Sequence, residues 1–389
     1  MDSINRRSFL KTSGIVMLPA LIPFNSVLAN EKFLGDPSTP LVNFYSDGVT
    51  FRTSEYINEL QKINVSHPIK RDQYASGGVV EELEKKFAEL TGKESAIFMP
   101  SGTMANQLAI SVLSEEKTKI FVQDTSHVYR DEADAAQSVF NKRLMPLAKN
   151  KTHFTAAELQ RAIENLQEEE VFESGVGAVS IENPVRRTNG GIVPIDEIKK
   201  ISAYCKSKNI KMHLDGARLF IAAAWSGVAI KDYTANFDTV YISLYKYLGA
   251  GAGAVLCGPK VIIDKMPHLI KIHGGNMAEN WFNAAMALHK LNGVDTRFAD
   301  AKKRSGEVFV ELNKIKGLQI TEISGGSNIY TLQLPKEVSG ENFCKKLYES
   351  FKIAVNYPNE KNQIDLLVNE TLLYQNTEYI IDAFKKSLI

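Results

Sequence analysis

Four short clusters in this 389-residue chain hold side chains of the kinds that bind a phosphate, move a proton and attack a carbonyl. Pro100-Ser101-Gly102-Thr103 lies between an apolar run, Ser95–Met99, and a helical one. Hydroxyls and unpaired backbone N–H groups at a helix start suit a phosphate, and Ser and Thr are equally the ordinary N-capping residues. His127 follows a second apolar run, with Glu132 shortly after it. An imidazole there can stack on an aromatic ring or carry a proton, or it can be a satisfied structural histidine. Asp215 closes the run Ile210–Leu214 and precedes Gly216-Ala217-Arg218. Its carboxylate could cap a helix or keep a heteroaromatic nitrogen protonated, and Arg218 could grip a substrate carboxylate at two points. Lys246 closes Val240–Tyr245 and precedes a glycine-rich stretch, Tyr247 to Gly253. A desolvated lysine loses its proton easily and becomes a Schiff-base nucleophile, while glycines let the backbone approach a bulky ligand. A solvated lysine at a loop edge is the other reading.

The elements that must position these clusters alternate. Strand-like runs at Ser95–Met99, Lys119–Gln123, Gly177–Ile181, Ile210–Leu214, Thr239–Leu244 and Gly253–Cys257 are separated by helical patterns. One such pattern carries Leu83, Phe87 and Leu90 and stops at Gly92; others cover Thr103–Leu113, Ala156–Leu166 and Ile195–Ser207. This alternation predicts an α/β fold with a mainly parallel sheet and helices on both faces. Ligands of such sheets sit at the carboxyl ends of the strands, where all four clusters fall. Phosphate turn, stacking histidine, carboxylate with arginine, then lysine with glycines is the chain order of a pyridoxal-phosphate (PLP) enzyme of the aspartate aminotransferase fold type, fold type I. The expected organisation is an arm over residues 30–70, a large PLP-binding domain over 71–285 and a small C-terminal α+β domain over 286–389.

Composition narrows the class further. Forty-six Lys and Arg against 45 Asp and Glu leave a formal net charge of +1, which offers no footprint for nucleic acid and no basic face for a lipid surface. Cys205, Cys257 and Cys344 share no short spacing, so a disulfide framework is not expected, and no metal site is expected. The first residues differ in kind. Arg6-Arg7-Ser8-Phe9-Leu10-Lys11 precedes an uncharged stretch from Ser13 to Leu28, and Val27-Leu28-Ala29 supplies small or short side chains. That order predicts a twin-arginine export signal over residues 1–29 and a periplasmic or exported mature protein. Pro19, Pro23 and Asn25 interrupt the stretch, which argues against a spanning helix.

From about Tyr45 to about Met286 the sequence resembles the threonine aldolase and β-eliminating lyase family. The resemblance is carried by Gly92-Lys-Glu-Ser-Ala-Ile-Phe-Met-Pro-Ser-Gly-Thr-Met-Ala-Asn-Gln107, by Ser46-Asp47-Gly48-Val49-Thr50 and by His127 with Glu132. It continues through Glu182-Asn183 with Gly190-Gly191, His213-Leu-Asp-Gly-Ala-Arg-Leu-Phe220 and Lys246 with Leu248-Gly249-Ala250. The resemblance implies fold type I, PLP and Cα–Cβ cleavage of a β-hydroxy-α-amino acid to glycine and an aldehyde. It implies that Ser101, Gly102 and Thr103 hold the phosphate, that His127 stacks on the ring and that Asp215 pairs with the ring nitrogen. Lys246 would hold the cofactor as a Schiff base, and Arg218 with Ser46 would meet the substrate carboxylate. Tyr74 would reach a neighbouring subunit's site, implying a homodimer or homotetramer with shared active sites.

The sequence departs from the family on the carboxylate side. The C-terminal strand that should carry an arginine reads Gln363-Ile-Asp-Leu-Leu-Val-Asn369, with Asp365 near that place. The arginine of a glycine-rich loop is also missing from Gly274-Gly275-Asn276-Met277-Ala278-Glu279, although Lys271 survives before it. β-Elimination or transamination on the same cofactor, and a non-catalytic exported homologue, therefore stand beside aldol cleavage.

Overall fold

A computed structural model describes residues 40–389; the expected signal over residues 1–29 lies outside the described residues. The chain divides into two compact units. The larger comprises Gly48–Phe298 and Ile323–Asn328, and the smaller comprises residues up to Asp47, Ala299–Glu322 and Ile329–Ile389. The expected division after residue 285 would fall inside the helix Trp281–Leu291.

The larger unit is built on a 7-stranded sheet. From one edge to the other its strands are Ser95–Met99, Ala254–Gly258, Thr239–Ser243, Lys211–Asp215, Val176–Glu182, Lys119–Gln123 and Arg143–Leu147. The last five run parallel. Ala254–Gly258 is antiparallel to both of its neighbours, so Ser95–Met99 points the same way as the parallel set. Lys119–Gln123, Thr239–Ser243 and Ala254–Gly258 are buried along their whole length, as strands covered on both faces must be. Alternate residues of one strand serve different cores: Val255 and Cys257 join one apolar cluster, Ala254 and Leu256 another. The helix Gly102–Ser114 supplies Met104, Ala105, Leu108 and Ala109 to the second cluster, and Ile110 and Leu113 to a third. The helix Gly78–Thr91 ends where the sequence predicts, with Gly92 in the left-handed region at φ 66° and its N–H bonded to Ala88 and Glu89.

The expected arm contains a 14-residue helix, Thr53–Ser66. Its apolar stripe is narrow, Tyr56, Leu60 and Ile63 at helical spacing, and only Ile63 is buried.

In the smaller unit, Gln363–Leu367, Ile329–Gln333 and Gln319–Glu322 form an antiparallel sheet in that order. Ile364, Leu366, Tyr330 and Leu332 alternate inward. Helices Gly340–Phe351 and Thr377–Ser387 belong to the same unit. The short strand Val42–Asn43 pairs in parallel with Ile353–Ala354. Asn369 Nδ2 ties this strand down, donating to the carbonyls of Asn43 at 2.7 Å and Ser46 at 2.9 Å. Among the described residues no helix is long and apolar enough to cross a membrane.

Candidate active site

The carboxyl edge of the large sheet gathers most of the chemistry. Glu182 faces Asp215 in register, and Asp215 faces Tyr241. Ser243 faces Ala254, which faces Met99, so the turn Pro100–Thr103 leaves at the same edge. Where the backbone ladder between Lys119–Gln123 and Val176–Glu182 ends, a side chain extends it. Gln123 Nε2 donates to the Glu182 carbonyl at 2.9 Å, and the Glu182 N–H donates to Gln123 Oε1 at 2.8 Å.

His127, Glu132 and Asp215 each bring one donor atom to within 4.8 Å of the others. His127 starts the short helix His127–Arg130. Its N–H donates to Glu182 Oε2 at 2.7 Å and its Nδ1 bonds Glu132 Oε1 at 3.0 Å. Asn106, fully buried on the helix Gly102–Ser114, gives Nδ2 to Glu132 Oε1 at 2.8 Å and to Asp215 Oδ2 at 3.1 Å. The Ala217 N–H reaches Asp215 Oδ1 at 3.2 Å. Asn106 Oδ1 lies 2.9 Å from His213 Nε2, and His213 Nδ1 lies 2.8 Å from Thr239 Oγ1.

These contacts fix the proton positions. Both Nδ2 hydrogens of Asn106 go to carboxyl oxygens, and its Oδ1 can only accept, so it accepts from His213 Nε2–H. His213 Nδ1 is then bare and accepts the Thr239 hydroxyl. A neutral His213 agrees with its environment, since burial drives its imidazole down to about 4. Burial also pulls on His127, but the Glu132 bond and the charges of Asp215 and Glu182 outweigh it, and its imidazole titrates higher than usual. Burial and then the Asp215 charge push the Glu182 carboxyl up to about 7.

At the turn the structure shows the capping role. Ser101 Oγ caps the helix, accepting from the Met104 N–H at 3.2 Å. Gly102 is required there, because a Cβ would collide with the Tyr241 hydroxyl. The Ser243 hydroxyl, two strands away at the same edge of the sheet, is buried without a hydrogen-bond partner. An anion such as a phosphate fits this donor set of capping N–H groups and hydroxyls, and it would satisfy the orphaned Ser243. Sequence reasoning passed over Ser243 and Asn106; the signal for Ser243 was its place three residues before Lys246.

The remaining predicted residues sit as follows. Lys246 follows the strand Thr239–Ser243, half-buried, its Nζ 5.9 Å from the Tyr245 ring centre. Arg218 is half-buried directly before the helix Leu219–Ser226. Tyr74 is exposed, with φ 53° and its N–H on the Ala278 carbonyl at 2.9 Å. Lys271 Nζ stands 5.8 Å from its ring centre. The loop whose arginine is missing is anchored by Glu279, which pairs with Arg71 and accepts from Trp281 Nε1 at 2.9 Å. Ser46 belongs to the smaller unit, where its Oγ accepts from Asn43 Nδ2 at 2.6 Å. Asp365 lies in that unit too, on the strand Gln363–Leu367 opposite Thr331. Burial raises its carboxyl above the usual range.

Comparison with known proteins agrees with the fold and identifies the family. The family model described as Beta-eliminating lyase matches residues 43–334. A protein from Schizosaccharomyces pombe named probable low-specificity L-threonine aldolase is 32% identical over 295 residues, covering 75% of this chain and 76% of the relative. The solved structure of Leishmania major threonine aldolase superposes with a TM-score of 0.67 at 18% identity, covering 89% of this chain and 98% of that one. A structure of SPT with PLP superposes with a TM-score of 0.67 at 12% identity, covering 100% and 98%. The last two share the fold, which is that of PLP enzymes of fold type I.

Proposed function

The chain belongs to the β-eliminating lyase family, and from that membership we propose that it is a PLP-dependent lyase that cleaves the Cα–Cβ bond of a β-hydroxy-α-amino acid to glycine and an aldehyde. The observation that carries this reading is the convergence of His127, Glu132 and Asp215 at the sheet edge from which Lys246 emerges. The similarity to the S. pombe aldolase supports the choice of reaction.

Pyridoxal phosphate, when bound, supplies a conjugated ring that accepts the electron pair released at Cα. Lys246 Nζ is the amine that would hold it. Asp215, with Oδ1 and Oδ2 held by Ala217 and Asn106, would keep a proton on the ring nitrogen. Ser101, Gly102 and Thr103 with Ser243 would hold the phosphate. His127 presents an imidazole whose Nδ1 is committed to Glu132, so Nε2 is the atom that would take the β-hydroxyl proton. Arg218 and Ser46 are assigned to the substrate carboxylate. Tyr74, exposed on its strained turn, supports a homodimer or homotetramer in which it serves a neighbouring copy. The Arg6-Arg7 pair and the uncharged stretch after it support export to the periplasm.

With Asp365 near the place of the family's C-terminal arginine, the carboxylate side is altered, and β-elimination or transamination on the same cofactor stands as the second reading. Incubating the PLP-loaded protein with threonine and with phenylserine separates the two. Aldehyde and glycine in equal amounts support aldol cleavage, whereas ammonia with a keto acid transfers the assignment to elimination.

A further inference from the structure

The buried hydrogen bonds behind the site carry one step more, which rests on reading it as the PLP site. We infer that Asn106 is a positioning residue that couples the two cofactor-facing groups, His127 and Asp215, through a single side-chain amide. One nitrogen, Nδ2, serves Glu132 Oε1 at 2.8 Å and Asp215 Oδ2 at 3.1 Å. Glu132 Oε1 in turn holds His127 Nδ1 at 3.0 Å. The amide cannot turn over, because Oδ1 would then face two carboxylates, and His213, backed by Thr239, anchors it from the far side.

Negative charge on Glu132 repels negative charge on Asp215 within this small space, and both residues are nearly inaccessible, at 6% for Glu132 and 2% for Asp215. The Asn106 donors offset that repulsion where solvent cannot. The charged neighbours of His127 are Glu132, Asp215, Glu182 and Asp131, and Asn106 touches two of them. A proton gained or lost at Asp215 is therefore felt at His127 through one shared amide, which ties the charge at the ring nitrogen to the imidazole that stacks on the ring.

The test is an NMR titration of the His127 ring nitrogens in the PLP-loaded protein, comparing wild type with Asn106→Ala and Asn106→Asp. Asn106→Ala removes the donor that holds Glu132 Oε1 against His127 Nδ1, so that bond loosens and the His127 midpoint falls by about one pH unit. Asn106→Asp keeps the shape and the acceptor for His213 but adds an acidic group, so the midpoint rises. Opposite shifts establish the coupling; midpoints that coincide in all three proteins overturn it. If Asn106→Ala does not fold, Asn106→Asp decides alone, a raised midpoint supporting the inference and an unchanged one overturning it. PLP affinity, read by absorbance titration, is expected to fall about tenfold in Asn106→Ala. Opposite shifts without aldehyde release would remove the aldolase reading and leave the coupling standing. Aldehyde release with unmoved midpoints would do the reverse.

Discussion

Glu182 and Asp215 stand directly opposite each other at the ends of adjacent parallel strands, both almost wholly buried. Two acidic side chains cannot both ionise cheaply in that position, and Glu182 yields, its carboxyl rising from the ordinary 4.5 to about 7. The folded protein therefore holds a proton on Glu182 between about pH 4.5 and 7 that the unfolded chain has released. The Glu182 contribution to stability falls as pH rises through that window and levels off above it, while His213, neutral when folded, contributes in the opposite sense below its ordinary 6.5. The difference between wild type and Glu182→Gln, which resembles the protonated form, isolates the Glu182 contribution. In urea denaturation of the cofactor-free proteins from pH 4.5 to 8, the variant should gain on wild type as pH rises through the window.

Asp215→Asn keeps the side-chain shape but removes the negative charge beside the ring nitrogen. PLP should still bind, while kcat falls about a hundredfold or more, on the scale of losing a group that holds a catalytic proton. Steady-state kinetics with threonine check this; a kcat within a few-fold of wild type would remove Asp215 from its assigned role.

Lys246→Ala should abolish both turnover and the visible absorbance band of lysine-bound PLP. Exogenous methylamine, a small replacement amine, should restore part of the band. Full activity in this variant would show that another amine does the work.

Gly102→Ala forces a methyl group against the Tyr241 hydroxyl. The expected cost is about 1–3 kcal/mol of stability, with weaker PLP binding as the turn is pushed away. Gly102→Ala combined with Tyr241→Phe should recover part of the stability loss. Thermal unfolding of the two variants provides the comparison.

Replacing Arg6 and Arg7 together by lysine should leave the protein in the cytoplasm of a bacterial host, because the twin-arginine machinery reads that pair. Cell fractionation and immunoblotting decide the matter. Unchanged periplasmic yield would argue for another route.

The sequence made the strand ends legible because buried strands are short apolar runs, and a charged residue closing such a run stands out. Asp215 and Lys246 were found in that way. Asn106 was not, since a polar residue inside a helical motif carries no sign of which groups it will meet; its partners come from two other elements of the chain. Ser243 was hidden for a similar reason, being one hydroxyl within a buried strand. The reversal of Ala254–Gly258 was readable in principle. The link from Ser243 to Ala254 is shorter than the dozen or more residues a parallel crossover needs. The helix Thr53–Ser66 left only a faint trace, Tyr56, Leu60 and Ile63 at helical spacing in an otherwise mostly polar run.

The pairing of Val42–Asn43 with Ile353–Ala354 bears on how the molecule is made. A ribosome emits the first of these strands long before the second, and chains fold from the N-terminal side as they emerge. The larger unit can begin to form while its C-terminal neighbour is still being synthesised. The smaller unit must wait, with Val42 and Asn43 unpaired, until Ile353 and Ala354 have emerged. A chain truncated before Ile353 would leave that first strand permanently without its mate.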